Sequence, residues 1–237
     1  MNIIVTGASR GIGYELVRKL AFAKNKILII ARRKELIYQL ADECKKEGKT
    51  SKVYPLPFDL LKINEEQEVI KRSIATCLDN RVDSLINNAG RLINKPFKET
   101  GNTEIENTFA TNLFAPIHLI KICLPFFRSS DNPAILNISS MGGIQGSAKF
   151  PGLSIYSASK GALSILTECL AEELKDENIK VNCLALGAVE TEMFRTAFPG
   201  FKAPMEASEI AEFLAEFVRK GFRYFNGKIL PVAVTTP

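Results

Sequence analysis

Strand-forming and helix-forming stretches alternate along almost the whole of this chain, and no other feature limits its fold as sharply. Residues 2–6, 26–31, 51–56, 82–86, 134–139 and 180–185 are short apolar runs rich in β-branched residues, with a last one near 228–232. Between them, 11–23, 34–47, 64–77, 103–128, 155–176 and 207–220 carry apolar residues at helical spacing. The strands are apolar on both faces, which a sheet tolerates only when helices cover both sides. Alternation of this kind implies parallel strands joined by right-handed crossovers. The expectation is an α/β fold: a doubly wound parallel sheet of about seven strands with helices on both faces, in a single domain over residues 1–237.

Composition removes several function classes. Hydrophobic residues at 46% and charged residues at 24% are ordinary for a globular protein, and no apolar run reaches membrane-spanning length. The N-terminus runs straight into a strand and a Gly-rich turn rather than a charged leader. The net charge of +5 is spread along the chain without a basic stripe, so no nucleic-acid or membrane partner is expected. The five cysteines, Cys44, Cys77, Cys123, Cys169 and Cys183, are odd in number and form no Cys-x-x-Cys pair. That argues against a disulfide framework and a zinc site; four of the five lie on apolar stretches and are expected to be small buried hydrophobes in a reducing cytoplasm, with no metal. The single histidine, His118, has no partner motif and reads as structural.

The first strand runs into Thr6-Gly7-Ala8-Ser9-Arg10-Gly11-Ile12-Gly13, which opens the first helix. Glycines let the chain turn tightly and let a pyrophosphate approach the backbone, and the helix N-terminus offers that anion unpaired N–H groups. No Gly-Lys-Ser/Thr follows, so this is not a Walker loop. The second strand ends Ile29-Ile30-Ala31-Arg32-Arg33, with no acid to take a ribose 2′-hydroxyl. Arg10 and Arg32, with Arg33 secondary, form the expected clamp for a 2′-phosphate, which points to NADP(H). Ser9 and Ile12 complete the turn. After the third strand, Asp59, followed by Leu60, is placed either for the adenine amino group or as a turn cap.

The chemistry is expected around Tyr156 and Lys160, four residues apart at the start of a helix and therefore on one face. A neighbouring ammonium and an oxidised nicotinamide both favour phenolate, which would move the tyrosine toward working pH. Ser140 ends a strand before Met141-Gly142-Gly143 and can steady charge on a carbonyl oxygen, with Ser139 as the competing hydroxyl. Tyr224 and Lys228 share the same spacing, but Asn226-Gly227 breaks the helix between them.

On these motifs the chain resembles the short-chain dehydrogenase/reductase family, in its compact single-domain branch with a Rossmann fold. The resemblance runs over nearly the whole length. It implies that Asn88, Ala89 and Gly90 support the central sheet beside the cofactor. It implies a proton-relay water held at Asn112, catalytic roles for Ser140, Tyr156 and Lys160, and an adenine contact at Asp59. Gly187 to Thr191 resembles the loop binding the nicotinamide amide, with Val189 acting by its backbone and Thr191 by its hydroxyl. The implied activity is hydride transfer between NADP(H) and a small-molecule ketone, aldehyde or alcohol. An NADPH-binding sensor without turnover stays open as the alternative. A homodimer or homotetramer is implied through 103–128 and 155–176, with Phe126, Phe127, Ile165, Leu166 and Leu170 as candidate contacts.

Two departures from the family pattern carry expectations. Leu186-Gly187 stands where Pro-Gly is usual, which would loosen the nicotinamide loop. Residues 192–207 are short for a substrate lid, which implies an open pocket. Its expected lining is Met141, Gly142, Phe150, Leu153, Met193, Phe194, Phe198 and Phe201, an apolar set suited to an aliphatic or aromatic ketone, a dicarbonyl or a pterin side chain.

Overall fold

The computed structural model describes residues 1–22, 24–47 and 51–234. In chain order its elements are β1 (Asn2–Thr6), α1 (Gly11–Leu20), β2 (Lys26–Ala31), α2 (Lys34–Lys46), β3 (Lys52–Pro57), α3 (Gln67–Leu78), β4 (Ser84–Asn87), α4 (Asn102–Phe109), α5 (Ala115–Phe127), β5 (Ala134–Ser140), α6 (Ser154–Glu173), β6 (Lys180–Leu186), β7 (Val189–Glu190), α7 (Glu192–Ala197), β8 (Met205–Glu206), α8 (Ala207–Lys220) and β9 (Ile229–Val232). Seven strands form one sheet in the order β3-β2-β1-β4-β5-β6-β9. Every neighbouring pair in it is parallel.

The strands are apolar throughout because their residues alternate between two buried layers. Ile3 and Val5 of β1 face one layer, built with α1, α2 and α8, and Ile4 faces the other, built with α3, α5 and α6. In β2 the same split puts Ile27 and Ile29 on one side and Leu28 and Ile30 on the other. This is the doubly wound, helix-covered sheet that the alternation implies.

The boundaries differ in ways that local bonding explains. The fourth strand begins at Ser84, because the Val82 N–H turns to the Phe126 carbonyl at 3.0 Å. The third helix begins at Gln67, because Asp59 caps a short 3-10 turn, Leu60–Lys62, ahead of it. The helix expected over 11–23 ends at Leu20, and its last expected residue, Ala23, lies outside the described residues. The helix expected over 103–128 is broken by a π turn, Ala110–Phe114, between α4 and α5. Helix α7 and the two-stranded pairing of β7 with β8 have no counterpart in the periodicity reading.

The expectation that no apolar run reaches membrane-spanning length does not hold: α4, the π turn and α5 join into a run, Asn102–Phe127, long and apolar enough to cross a membrane by length and composition alone. Leu119, Ile120, Ile122, Cys123 and Phe127 of this run are buried in the core. Among the cysteines, Cys44, Cys123 and Cys183 are buried as expected, whereas Cys77 is half-buried and Cys169 is exposed.

Candidate functional site

Strand β1 connects through α1 to β2 on one side and is hydrogen-bonded to β4 on the other. A crevice opens where the winding reverses, at the carboxyl ends of these strands. A cavity of about 650 Å³ occupies that end. Its rim starts with the glycine turn. Gly7 has φ +70°, and a Cβ on it would lie 2.7 Å from Ala89 Cα. A Cβ on Gly13 would lie 2.5 Å from both the Gly7 carbonyl oxygen and Asn88 Nδ2. The turn is stitched to the strand beside it: Asn88 Nδ2 donates to the Thr6 and Gly7 carbonyls at 2.9 and 3.2 Å. Thr6 Oγ1 accepts from the Asn88 and Ala89 N–H groups, both at 3.0 Å. No side chain caps α1 at its N-cap Arg10, so its first N–H groups face the cavity without a side-chain acceptor.

Arg10, Arg32 and Arg33 line one end of the cavity together. Burial lowers the pKa of Arg10 from its usual value, and the positive charges of Arg33 and Arg32 lower it further. Grouped cations of this kind form an anion site. Ser9, Gly11, Ile12, Asp59 and Leu60 also line the cavity, and Gly90 lines it beside Lys160, whose Nζ would lie 3.5 Å from a Cβ there. Asp59 also accepts from the Leu61 N–H at 3.1 Å, so the turn-cap role is present alongside the cavity position.

At the other end stand Ser140, Tyr156 and Lys160, all on the cavity wall. The Ser140 hydroxyl lies beside the Tyr156 phenol and accepts from the Gly142 N–H at 3.3 Å. Ser139 instead turns back into the fold, donating to the Lys160 carbonyl at 2.9 Å and accepting from Ser164 at 3.1 Å. Geometry therefore separates the two hydroxyls. Lys160 is 4% exposed, and its Nζ donates to the Ile138 carbonyl at 2.7 Å. Burial lowers its pKa to about 8. For Tyr156 without an oxidised nicotinamide beside it, the direction is upward. Burial raises the phenol pKa, and the Ser140 hydroxyl only partly offsets it. In the protein alone this residue is a protonated acid rather than a group drawn toward phenolate.

Asn112 is fully buried in the π turn, and its neighbour Thr111 contributes to the cavity wall. Its Oδ1 accepts from the Arg91 N–H at 2.7 Å, and its Nδ2 donates to the Arg91 carbonyl and Ser159 Oγ, both at 2.9 Å. Ser159 in turn donates to the Tyr156 carbonyl at 2.7 Å. The asparagine thus braces the loop after β4 against the helix that carries Tyr156 and Lys160.

Gly187, Val189 and Thr191 line the cavity beside this chemical end. The Leu186-Gly187 step is fixed rather than loosened. Leu186 pairs with Val232 in the sheet, and the Gly187 N–H donates to the Val232 carbonyl at 2.9 Å. Thr191 Oγ1 accepts from the Phe194 N–H at 3.1 Å and so caps α7. Beyond it, the rings of Phe194 and Phe198 pack 5.1 Å apart, while Phe150 and Phe201 flank the mouth at 47% and 72% exposed.

Sequence reasoning missed three contributors. Ser159 was hidden because its role depends on a partner 47 positions away. Asn94 donates to the Ala197 carbonyl at 2.7 Å and ties the loop after β4 to α7. Glu192 forms an ion pair with Arg10, and its oxygen lies 3.7 Å from Arg33. A carboxylate beside the Thr191 cap is visible in the sequence, but its reach to Arg10 is not.

The arrangement is a long cleft with cations and bare N–H groups at one end and a phenol–hydroxyl pair at the other. Residues 1–200 match the family model of the short chain dehydrogenases. The chain is 31% identical over 192 residues to a fatty acyl-CoA reductase of Acinetobacter baylyi, covering 80% of this chain and 63% of that protein. It is 32% identical over 195 residues to an L-xylulose reductase of Caenorhabditis elegans, covering 82% and 74%. A Shigella flexneri protein classed with the short chain dehydrogenases, solved with NADP, superposes with a TM-score of 0.86 at 27% identity, covering 97% and 95%. The chain therefore spans slightly less than two thirds of the bacterial acyl-CoA reductase but nearly all of the solved structure.

Proposed function

Because the chain belongs to the short-chain dehydrogenase/reductase family, we propose that it is an NADP(H)-dependent oxidoreductase that reduces a small-molecule carbonyl, or oxidises the corresponding alcohol. One observation carries this reading: a single cavity joins the arginine-lined, glycine-walled end to the Ser140–Tyr156–Lys160 end. The cofactor fits the residues present. Gly7 and Gly13 let the turn pack closely on Asn88 and Ala89, the side-chain-free N-terminus of α1 offers N–H groups to a pyrophosphate, and the three arginines match a 2′-phosphate.

When bound, the nicotinamide supplies a hydride to the carbonyl carbon. The protein supplies the rest. Ser140 donates a hydrogen bond to the carbonyl oxygen, and Tyr156 gives its phenolic proton to the same oxygen, completing the alcohol. The raised pKa of Tyr156 keeps that proton in place until the oxygen turns basic. Lys160, lowered to about 8, is the group that returns a proton to Tyr156. Asn112 is a positioning residue, holding the Arg91 loop and, through Ser159, the first turn of α6.

The substrate is an apolar carbonyl compound. Met141, Leu153, Met193 and Phe194 surround the chemical end, and Phe150 and Phe201 continue that surface toward solvent. The chain acts as one domain in a reducing cytoplasm and assembles as a homodimer or homotetramer. Of its candidate contacts, Phe127 is buried, Phe126 and Leu170 pack on the core and Leu166 is half-buried, so exposed Ile165 is the best placed.

The test is oxidation of NADPH across a panel of diketones, alkyl and aromatic ketones, a pterin ketone, a keto sugar and an acyl thioester, run beside NADH and Tyr156→Phe. Turnover that needs NADPH is expected, with Tyr156→Phe slower by about 10²-fold or more at unchanged NADPH binding. NADPH binding without turnover on any carbonyl would favour the sensor reading instead.

A further inference from the structure

Three guanidiniums, Arg10, Arg32 and Arg33, share one end of the cleft, and the only acid paired to them among the described residues is Glu192. That carboxylate does not come from the arginine end. It is the first residue of α7, directly after Thr191, whose hydroxyl caps that helix. The Glu192–Arg10 ion pair therefore ties the loop after β6 to the turn after β1, where a Cβ on Gly11 would lie 3.2 Å from Thr191 Cγ2. The bridge leaves the arginines short of negative charge: three positive groups face one carboxylate. A phosphate monoester carries about −1.5 to −2 at neutral pH and offers three acceptor oxygens, so it neutralises the cluster better than one carboxylate can.

We propose that Glu192 is an internal counter-ion that holds the arginine clamp in the empty protein and is displaced by the 2′-phosphate of the cofactor. This rests on the NADP(H) reading. Because Glu192 opens α7, and Met193 and Phe194 of that helix line the apolar pocket, its displacement also releases the first turn of a substrate wall. Cofactor binding and pocket opening are thereby coupled through one side chain. The three partners are a third to a half exposed, so solvent screens the bridge and its competition is modest.

The test is calorimetric titration of NADPH and NADH into the wild type, Glu192→Gln and Glu192→Asp. Glu192→Asp keeps the helix-start charge but withdraws the carboxylate by one methylene. Both variants are expected to bind NADPH about twofold to fivefold tighter, with a smaller change for NADH. Weaker NADPH binding would mean that Glu192 clasps the bound cofactor, and equal tightening of both cofactors would mean that the 2′-phosphate is not the competitor. Either result overturns the proposal. A second readout needs no nicotinamide: amide hydrogen exchange over residues 192–197, with and without adenosine 2′,5′-bisphosphate. Faster exchange on adding the bisphosphate is expected in the wild type but not in Glu192→Gln. No change in the wild type overturns the displacement. Failure of the wild type to prefer NADPH over NADH would overturn the cofactor reading itself, a result distinct from either.

Discussion

At one end of the cleft Arg10 and Arg33 keep 37% and 51% of their side chains in contact with solvent; at the other, Lys160 keeps 4% of the whole residue. Both ends concentrate charge-bearing groups, yet solvent treats them differently. Around the arginines water screens every interaction, so recognition depends on several weak contacts adding up. Lys160 is buried and Tyr156 half-buried, and burial is the main cause of both pKa shifts, the lysine down and the phenol up. Each shift favours the neutral form. The screened end selects a ligand, and the desolvated end holds a proton in readiness. Substitutions should therefore act strongly and with pH at the chemical end, and weakly and with salt at the arginine end.

The largest effect tests the desolvated end. Lys160→Met removes the group that resupplies the Tyr156 proton, and turnover should fall by about 10²-fold or more. Stability should move the other way. The folded pKa of about 8 lies below the ordinary 10.5, so the folded state binds fewer protons than the unfolded state between those values. Wild-type stability consequently rises with pH across that window, and the penalty for burying the amine is fully present below about pH 8. It amounts to about 3 kcal/mol, from ~1.4 kcal/mol per pH unit. Denaturant unfolding of both proteins from neutral to alkaline pH checks this. Lys160→Met should be more stable at neutral pH, with the advantage shrinking as the pH rises. A constant difference would mean that Lys160 is not desolvated, and the contrast between the two ends would collapse.

An intermediate effect tests the turn that links the ends. Gly13→Ala places a methyl 2.5 Å from the Gly7 carbonyl oxygen, a backbone atom that cannot swing aside. Separating α1 from the turn should cost about 1–3 kcal/mol in stability, as overpacking does, and should weaken NADPH and NADH alike. Thermal unfolding with titration of both cofactors checks it. Loss of one cofactor alone would show that the turn reads the 2′-phosphate, a task assigned here to the arginines.

The same contrast explains how much could be read from the chain alone. The sheet was legible because unbroken apolar strands admit few other arrangements, and residues 2–6 and 26–31 emerge with their bounds intact. The glycine turn and the Tyr156–Lys160 spacing were legible because their chemistry is local. The direction of the Tyr156 shift in the protein alone was not, since it depends on how much protein surrounds the phenol, which spacing does not encode. Helix α7 was missed because six residues are too few to establish a period. Asn112 could be singled out by likeness, but its brace runs through Arg91 and Ser159, which meet it only in the fold. Pairing of the kind between Glu192 and Arg10 is likewise invisible until two distant loops converge.

The smallest effect tests the screened end. Arg32→Asp replaces one member of the clamp with a charge that repels phosphate and suits a ribose hydroxyl. The ratio of NADPH to NADH affinity should fall by roughly tenfold, since one charge-assisted contact is lost at an exposed position and a repulsion is gained. Ionic strength separates this change from those at the buried end. At physiological salt the screening length is about 8 Å, so the difference between wild type and Arg32→Asp should narrow as salt is raised, whereas the Lys160 pH response should hold. The ratio of the two dissociation constants at low and high salt is the measurement. An unchanged ratio would remove Arg32 from the clamp and leave selection to Arg10 and Arg33. A change that ignores salt would mean that the arginine end is drier than its exposure indicates, and that the two ends of the cleft obey the same electrostatics after all.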